Sequence, residues 1–238
     1  MRIVNSLLGF QHSEQKNVED PIARTESPPA RVAIIEDDER LRQALVFQLG
    51  TAGFQVVPYS SAEEFLVVSG AASFDCIVVD NFLPRMTGLQ LQAQLSRTVP
   101  FASIVFISGN SELSLGMHAM RKGAVDFLEK PLDEEALVSS IIRGAELTRK
   151  RCAEHAQRIE LEGRFGELTP REREVFDLIT RGLLNKQVGA ELGTTERTVK
   201  AHRERVMIKM RADSLAGLVR MSGILELQYT RTRSGHMG

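Results

Sequence analysis

From Arg31 onward, short and almost continuously apolar runs alternate with amphipathic stretches. RVAII (31–35), FQVVPY (54–59), DCIVV (75–79), SIVFIS (103–108) and VDFLE (125–129) are rich in β-branched residues and bounded by polar or glycine-bearing segments. Between them, apolar positions recur at three- and four-residue spacing. That spacing predicts helices over about 39–49, 61–69, 88–95 and 112–121, with another opening near Asp133. The strands lack a polar alternate face, as expected of parallel strands covered on both sides. Strict strand–helix alternation therefore predicts an α/β domain over 31–145, a five-stranded doubly wound parallel sheet with its crevice beyond the carboxyl ends of the strands. The helix from Asp133 meets only Gly144, and its pattern continues to Gly163 or Gly166. The join, 146–165, is thus expected to be a helical linker. From Leu168 the pattern is all-helical, so an all-α domain of four helices is expected over 166–230. Residues 1–30 end in Ser27-Pro28-Pro29 without periodicity and are expected to form a mobile arm; 231–238 are expected to be a disordered tail.

Composition narrows the class. The 238 residues are 42% hydrophobic and 26% charged, and no apolar run approaches the ~20 residues of a membrane span. The opening MRIVNSLLGF has neither a long apolar core nor a small-residue cleavage site, so it does not read as a secretory signal. Cys76 and Cys152 lie in unrelated contexts, which argues against a disulfide framework or zinc site and agrees with a cytoplasmic location. Net charge is −1, but residues 31–140 carry 8 Lys and Arg against 14 Asp and Glu, a net −6. Residues 168–238 carry 13 against 8, a net +5. Such asymmetry predicts cation or phosphate chemistry in the first domain and a polyanion partner for the second.

Four strand ends carry chemistry. The first closes on Glu36-Asp37, the third on Asp80, the fifth on Glu129-Lys130-Pro131, and the fourth adds the hydroxyl of Ser108. A parallel sheet opens all these ends onto one edge. Carboxylates there suit Mg²⁺, a hard cation that shares its coordination with phosphate. A carboxylate nucleophile, a metal, a Lys and a hydroxyl together divide the labour of phosphoryl transfer. Asp38 competes with Asp37, but Leu41 and Leu45 set the helix face, so Glu36-Asp37 end the strand.

On IIEDDERLR, VVDNFLPRMTG, IVFISGN and GAVDFLEKPL, residues 31–145 resemble the receiver domain of the two-component family. The resemblance implies Asp80 as phosphoacceptor and Glu36, Asp37, Asp80 and the Phe82 carbonyl as Mg²⁺ ligands. Ser108 and Lys130 would act on the phosphoryl group, Phe127 would be the switch aromatic, and Lys130-Pro131 a cis peptide. Ser108 stands where many relatives have Thr. Phe82, two residues past Asp80, is expected to shield an acyl phosphate from water.

In the second domain Thr169, Pro170 and Glu172 form a capping box with Pro at the first helical position, and Gly182 ends that helix. Asn185 is expected to cap the next helix, which stops at Gly193, and Thr195 to cap a third running to about Met210. This is a helix-turn-helix pattern. Val199, Val206, Met210 and, in part, His202 are expected to face inward. Arg197, Lys200, Arg203 and Glu204 are expected outward near the start of the third helix, where base edges are read; Lys186, Thr195 and Thr198 suit phosphates. On NKQVGAELG and TERTVKAHR the segment resembles the LuxR/NarL-type DNA-binding domain, and the whole chain the FixJ subgroup. The resemblance implies base contacts from Lys200, Ala201 and Glu204, and a dimerising helix over Ser214 to Met221. Glu204 departs from relatives with a basic residue there, and an acid favours a cytosine amino group.

The implied function is a phosphorylation-dependent transcription regulator with no turnover of its own beyond self-phosphorylation and slow loss of phosphate. Expected partners are a sensor histidine kinase, double-stranded promoter DNA, RNA polymerase and a second copy on phosphorylation, with no membrane partner. The alternative is a phosphate shuttle or sequestering receiver whose basic domain binds protein. A haloacid-dehalogenase-type phosphatase would need a DxD loop and a cap insertion, and the sequence has neither. His118 and His155 stand alone, without a phosphorelay pattern.

Overall fold

The computed structural model describes residues 28–68, 74–109 and 113–234. The expected arm up to residue 27 and residues 235–238 lie outside them. The order is β1 (Arg31–Ile35), α1 (Glu39–Thr51), β2 (Gln55–Tyr59), α2 (Ala62–Val68), β3 (Cys76–Asp80), α3 (Gly88–Thr98), β4 (Ser103–Ser108), α4 (Leu113–Arg121), β5 (Asp126–Glu129), α5 (Glu134–Gly166), α6 (Pro170–Thr180), α7 (Asn185–Glu191), α8 (Glu196–Met210) and α9 (Leu215–Ser234).

The strands form one parallel sheet in the order β2-β1-β3-β4-β5. Every residue of β3 and β4 is buried, which is why their sequences show no polar alternation. Successive residues serve opposite faces. Ile35, Ile77, Val79 and Phe106 pack with Phe65, Leu91, Leu95 and Ala119 of α2, α3 and α4. Ile34, Val78, Val105 and Ile107 pack with Leu45 and Leu49 of α1 and Leu137 and Ile141 of α5. Helix starts are capped by side-chain oxygens of Asp38, Thr87, Asp133, Thr169 and Thr195, each worth about 1 kcal/mol.

Helix α5 is continuous for 33 residues. Its first half lies in the sheet domain, and Leu161 and Phe165 near its end lie in the second core with Val175, Phe176, Val188 and Val206. The join is one continuous helix that contributes to both cores. At the lower sheet edge Arg149 of α5 pairs with Asp75 at 3.0 Å and donates to the Pro28 carbonyl.

Two helix limits differ from expectation. Asn185 is the first residue of α7 rather than its cap; Leu184 takes that position, with its N–H donated to Gln187 at 2.8 Å. The fourth helix of the second domain continues past Met221, so 231–234 form the end of α9 rather than the start of a tail. Both cysteines are free, and burial pushes the Cys76 thiol up to about 12.

Candidate functional site

The carboxyl edge of the sheet gathers the acids from two strands and the cation from a third. Lys130 Nζ lies 2.6 Å from Asp80 Oδ2 and 2.9 Å from Glu36 Oε2. Both acids are almost wholly buried, whereas Asp37 is exposed at the rim. Their remaining oxygens are engaged by the backbone: Phe82 N–H donates to Asp80 Oδ1 at 2.8 Å and Asp38 N–H to Glu36 Oε1 at 3.3 Å. The Asp38 side chain is committed to capping α1, accepting from Arg40 and Leu41 N–H, so the two acids of the EDDE run have separate positions. Those N–H bonds also lower the Asp38 pKa.

Burial, joined by the nearby Asp80 charge, raises the Glu36 pKa above the ordinary carboxylate range, although Lys130 opposes it. For Lys130, burial acts against the charged form, but the bonds to Asp80 and Glu36 outweigh it and hold its pKa above the usual value. One ammonium thus faces two buried carboxylates, with a third acid beside them. Single oxygens from Glu36, Asp37 and Asp80 all lie within 4.8 Å of one another. An all-oxygen set at this spacing is of the kind that holds a hard divalent metal ion.

Ser108 ends β4, fully buried, and its carbonyl accepts the Lys130 N–H at 2.8 Å. The Lys130–Pro131 peptide is cis. Phe127 is half-buried and stacks on Phe106, with ring centroids 6.1 Å apart. Its other side meets α4, where a Cβ at Gly116 would lie 3.4 Å from the ring. The Phe82 side chain is 47% exposed beside the acids.

Two residues that build this edge carried no assigned role in the sequence. Arg42 Nη1 donates to the carbonyls of Glu36 and Asp37 at 2.7 and 3.2 Å, fixing the loop that presents them. Gly88 opens α3 against the end of β3, where a Cβ would fall 2.7 Å from the Asp80 carbonyl and 2.9 Å from the Phe106 ring. Only glycine allows that approach. The TG step of PRMTG was the available signal for Gly88; one of two Arg residues on the first turn of α1 gives none.

The second cluster lies on α7 and α8. Thr195 caps α8 through the Thr198 N–H, and the two hydroxyls are 2.8 Å apart. Lys186, Thr195, Arg197, Thr198, Lys200, Ala201 and Glu204 are exposed, while Val199, Val206 and Met210 are buried and His202 is half-buried. Arg203 differs from the expected outward position. It is half-buried and donates to Asn185 Oδ1 at 3.1 Å, tying α8 to the first residue of α7. Gly189 lets α7 approach the start of α8: a Cβ there would sit 2.9 Å from the Thr194 carbonyl. Of the two histidines set aside, His155 packs on Phe101 at 4.7 Å and bonds Arg158, and His118 is exposed.

Residues 32–142 match the response regulator receiver domain family, and 166–222 match the luxR family of bacterial regulatory proteins. Nodulation protein W of Bradyrhizobium diazoefficiens is 40% identical over 206 residues, covering 87% of this chain and 91% of that protein. The transcriptional regulatory protein FixJ of Azorhizobium caulinodans is 35% identical over 80% of this chain and 90% of its own length. Among solved structures, the response regulator StyR superposes with a TM-score of 0.74 at 38% identity, covering 83% of this chain and 99% of that one. The chain belongs to the FixJ/LuxR-type two-component response regulators. In such a response regulator the acidic edge belongs to the receiver domain, and α7–α8 form the helix-turn-helix of the DNA-binding domain. It is a phosphorylation-dependent transcription regulator and a phosphoacceptor rather than a turnover enzyme. Its architecture implies a kinase and DNA as partners. Among the described residues of this response regulator, no helix is long and apolar enough to cross a membrane.

Proposed function

We propose that Asp80 is the phosphoacceptor of this cytoplasmic regulator and that a sensor histidine kinase is the donor. The observation that carries this reading is the Lys130 ammonium held between Asp80 and Glu36 at the open edge of the sheet. An Asp80 carboxylate oxygen attacks phosphorus, the bond from phosphorus to the kinase imidazole breaks, and the imidazole leaves. Lys130 stays protonated through this step and neutralises a phosphoryl oxygen, and Ser108 offers its hydroxyl to another. Glu36, Asp37 and Asp80, with the Phe82 carbonyl, would hold Mg²⁺, which when bound would supply the remaining neutralisation of charge. Drawing Ser108 and Lys130 toward the phosphoryl group vacates space that the half-buried Phe127 ring enters.

The face of α4, β5 and α5 changes with it. Met117, Met120 and Ile142, exposed on α4 and α5, support pairing with a second copy across this face. Pairing brings two α8 helices onto half-sites about one helical turn apart. Lys200, Ala201 and Glu204 then read base edges, with Arg197 beside them; Lys186, Thr195 and Thr198 hold phosphates. Arg203, bonded to Asn185, orients the two helices and contacts the backbone. RNA polymerase is the further partner in this reading.

The test is sedimentation and duplex binding with and without beryllofluoride, a phosphate mimic. Native protein is expected to dimerise and bind DNA more tightly with the mimic, and Asp80→Asn to do neither. A beryllofluoride response in Asp80→Asn equal to that of native protein would refute the assignment.

A further inference from the structure

Helix α8 is fastened at its C-terminal end by residues from three elements. A helix terminus leaves carbonyls without intrahelical partners and carries the negative end of the dipole, so cations are favourable there. Arg164, on the last turn of α5, donates from Nη1 to the Met210 carbonyl at 3.3 Å. Lys209, in the last turn of α8, donates to the buried Glu172 of α6 at 2.6 Å and to the Glu167 carbonyl at 3.1 Å. Arg211, left-handed at φ 53°, closes the helix, and the Ala212 N–H follows it onto Met207 O at 2.9 Å.

Arg164 is itself braced. Its Nη2 lies 2.5 Å from Glu160 one turn earlier, and its side chain is only 19% exposed. The neighbouring Leu161 and Phe165 are anchored in the core of the DNA-binding domain. Arg164 lies just before residues 166–222, which match the DNA-binding family. It belongs to the helix that begins in the receiver, yet its guanidinium holds the backbone of α8.

We propose that Arg164 is a positioning residue for sequence reading: by tying the C-terminal end of α8 to α5, it sets the tilt at which the N-terminal residues of α8 meet base edges. The inference rests on α8 being the recognition helix. Its 15 residues span about 22 Å. A pivot of about 10° at the far end therefore shifts the N-terminal side chains by about 4 Å, beyond the reach of any hydrogen bond made before the pivot. The short Thr195 and Thr198 side chains move with this end of α8, but the phosphate contact of the long, flexible Lys186 on α7 is less demanding of orientation and survives such a pivot. Arg164 thus bears on specific binding more than on non-specific binding.

The experiment uses full-length native protein, Arg164→Ala, Arg164→Lys and Arg173→Ala. The probes are a duplex selected by the native chain from a random pool and an unselected random duplex, each titrated across salt. Arg173 is the control: it bonds the Gly166 carbonyl at 3.0 Å and lies over the Phe165 ring, bracing the same turn of α5. Arg164→Ala is expected to weaken the selected duplex by about tenfold, the scale of one bidentate base contact. The random duplex should change by less than about twofold, with the salt slope unaltered. Arg164→Lys, which keeps the charge but loses the fork, should fall between native and Ala, and Arg173→Ala should leave the ratio of the two affinities as it is. Equal losses on both duplexes would overturn the proposal. So would a salt slope reduced by about one, which would make Arg164 a phosphate ligand, or the same loss of ratio in Arg173→Ala. If Arg164→Ala does not fold, an unchanged ratio in Arg164→Lys overturns it. A native chain that selects no duplex would instead refute α8 as the recognition helix.

Discussion

At the sheet edge one ammonium serves two carboxylates that are almost wholly buried, whereas along α8 Arg197, Lys200 and Glu204 stand in solvent at three- and four-residue spacing. Charges of the first kind interact through a medium of low effective dielectric and are bound together by shared hydrogen bonds. Charges of the second kind are screened within about 10 Å by ordinary salt. The receiver site should therefore fail as a unit, and the DNA-binding face should fail by increments.

The sharpest way to break this comparison is Lys130→Ala. It removes the cation that both Glu36 and Asp80 use, and phosphorylation by a small phosphodonor should slow by about 100-fold, the scale of losing one donor to a transferring group. Combined with Glu36→Gln, the loss should be far from additive; additive losses would show that the site is not a unit. Next in size is Gly88→Ala. The added methyl has no room between the Asp80 carbonyl and the Phe106 ring, so the receiver should lose about 1–3 kcal/mol. Urea unfolding followed by hydrogen exchange should locate the loss in β3 and α3 and leave α6–α8 unchanged.

On the other side of the comparison, Lys200→Ala should weaken duplex binding by about fivefold, near the lower limit for one base contact, and its effect should add to that of Arg197→Ala. Titration of each variant and the double variant checks this; strong coupling would contradict the incremental picture. The smallest effect is a pH dependence. The Lys209 ammonium, aided by the Thr169 N–H, holds Glu172 below the usual carboxylate range. The folded state therefore favours the ionised form. Its contribution is complete above the unfolded pKa and is lost as pH falls through the folded one. The urea midpoint of the DNA-binding domain should fall between about pH 5 and pH 3. Glu172→Gln should flatten that dependence, at a cost near neutral pH of about 1 kcal/mol, the size of one cap.

Much of this architecture could be read from the chain because its causes are local. Strands buried on both faces must be apolar throughout, and helix caps need a side-chain oxygen at one position. The acids of the site were legible because a parallel sheet gathers strand ends at one edge, so Glu36, Asp80 and Lys130 needed only their strands to be placed together. What stayed hidden depends on approach between distant segments. Gly88 reads as an ordinary helix start until β3 is laid against it. Arg203 reads as one more exposed cation until α7 brings Asn185 to it. Leu184 has no side-chain oxygen, so local rules moved the cap of α7 to Asn185. Helix α9 runs on to Ser234, where the unperiodic RTRS stretch carries no apolar spacing that would mark a helix.

The single helix that joins the two domains gives the molecule a rotational register. As one α5 of 33 residues, it spans about 50 Å and turns about 100° with each residue. One residue inserted near Gln157 would rotate the DNA-binding domain by about that angle relative to the receiver while moving it only about 1.5 Å outward. Seven inserted residues would return it to within about 20° of its starting orientation. The spacing between receiver and DNA-binding domain is thus counted in angle more than in distance, and natural variation in this join should be tolerated in steps of helical turns.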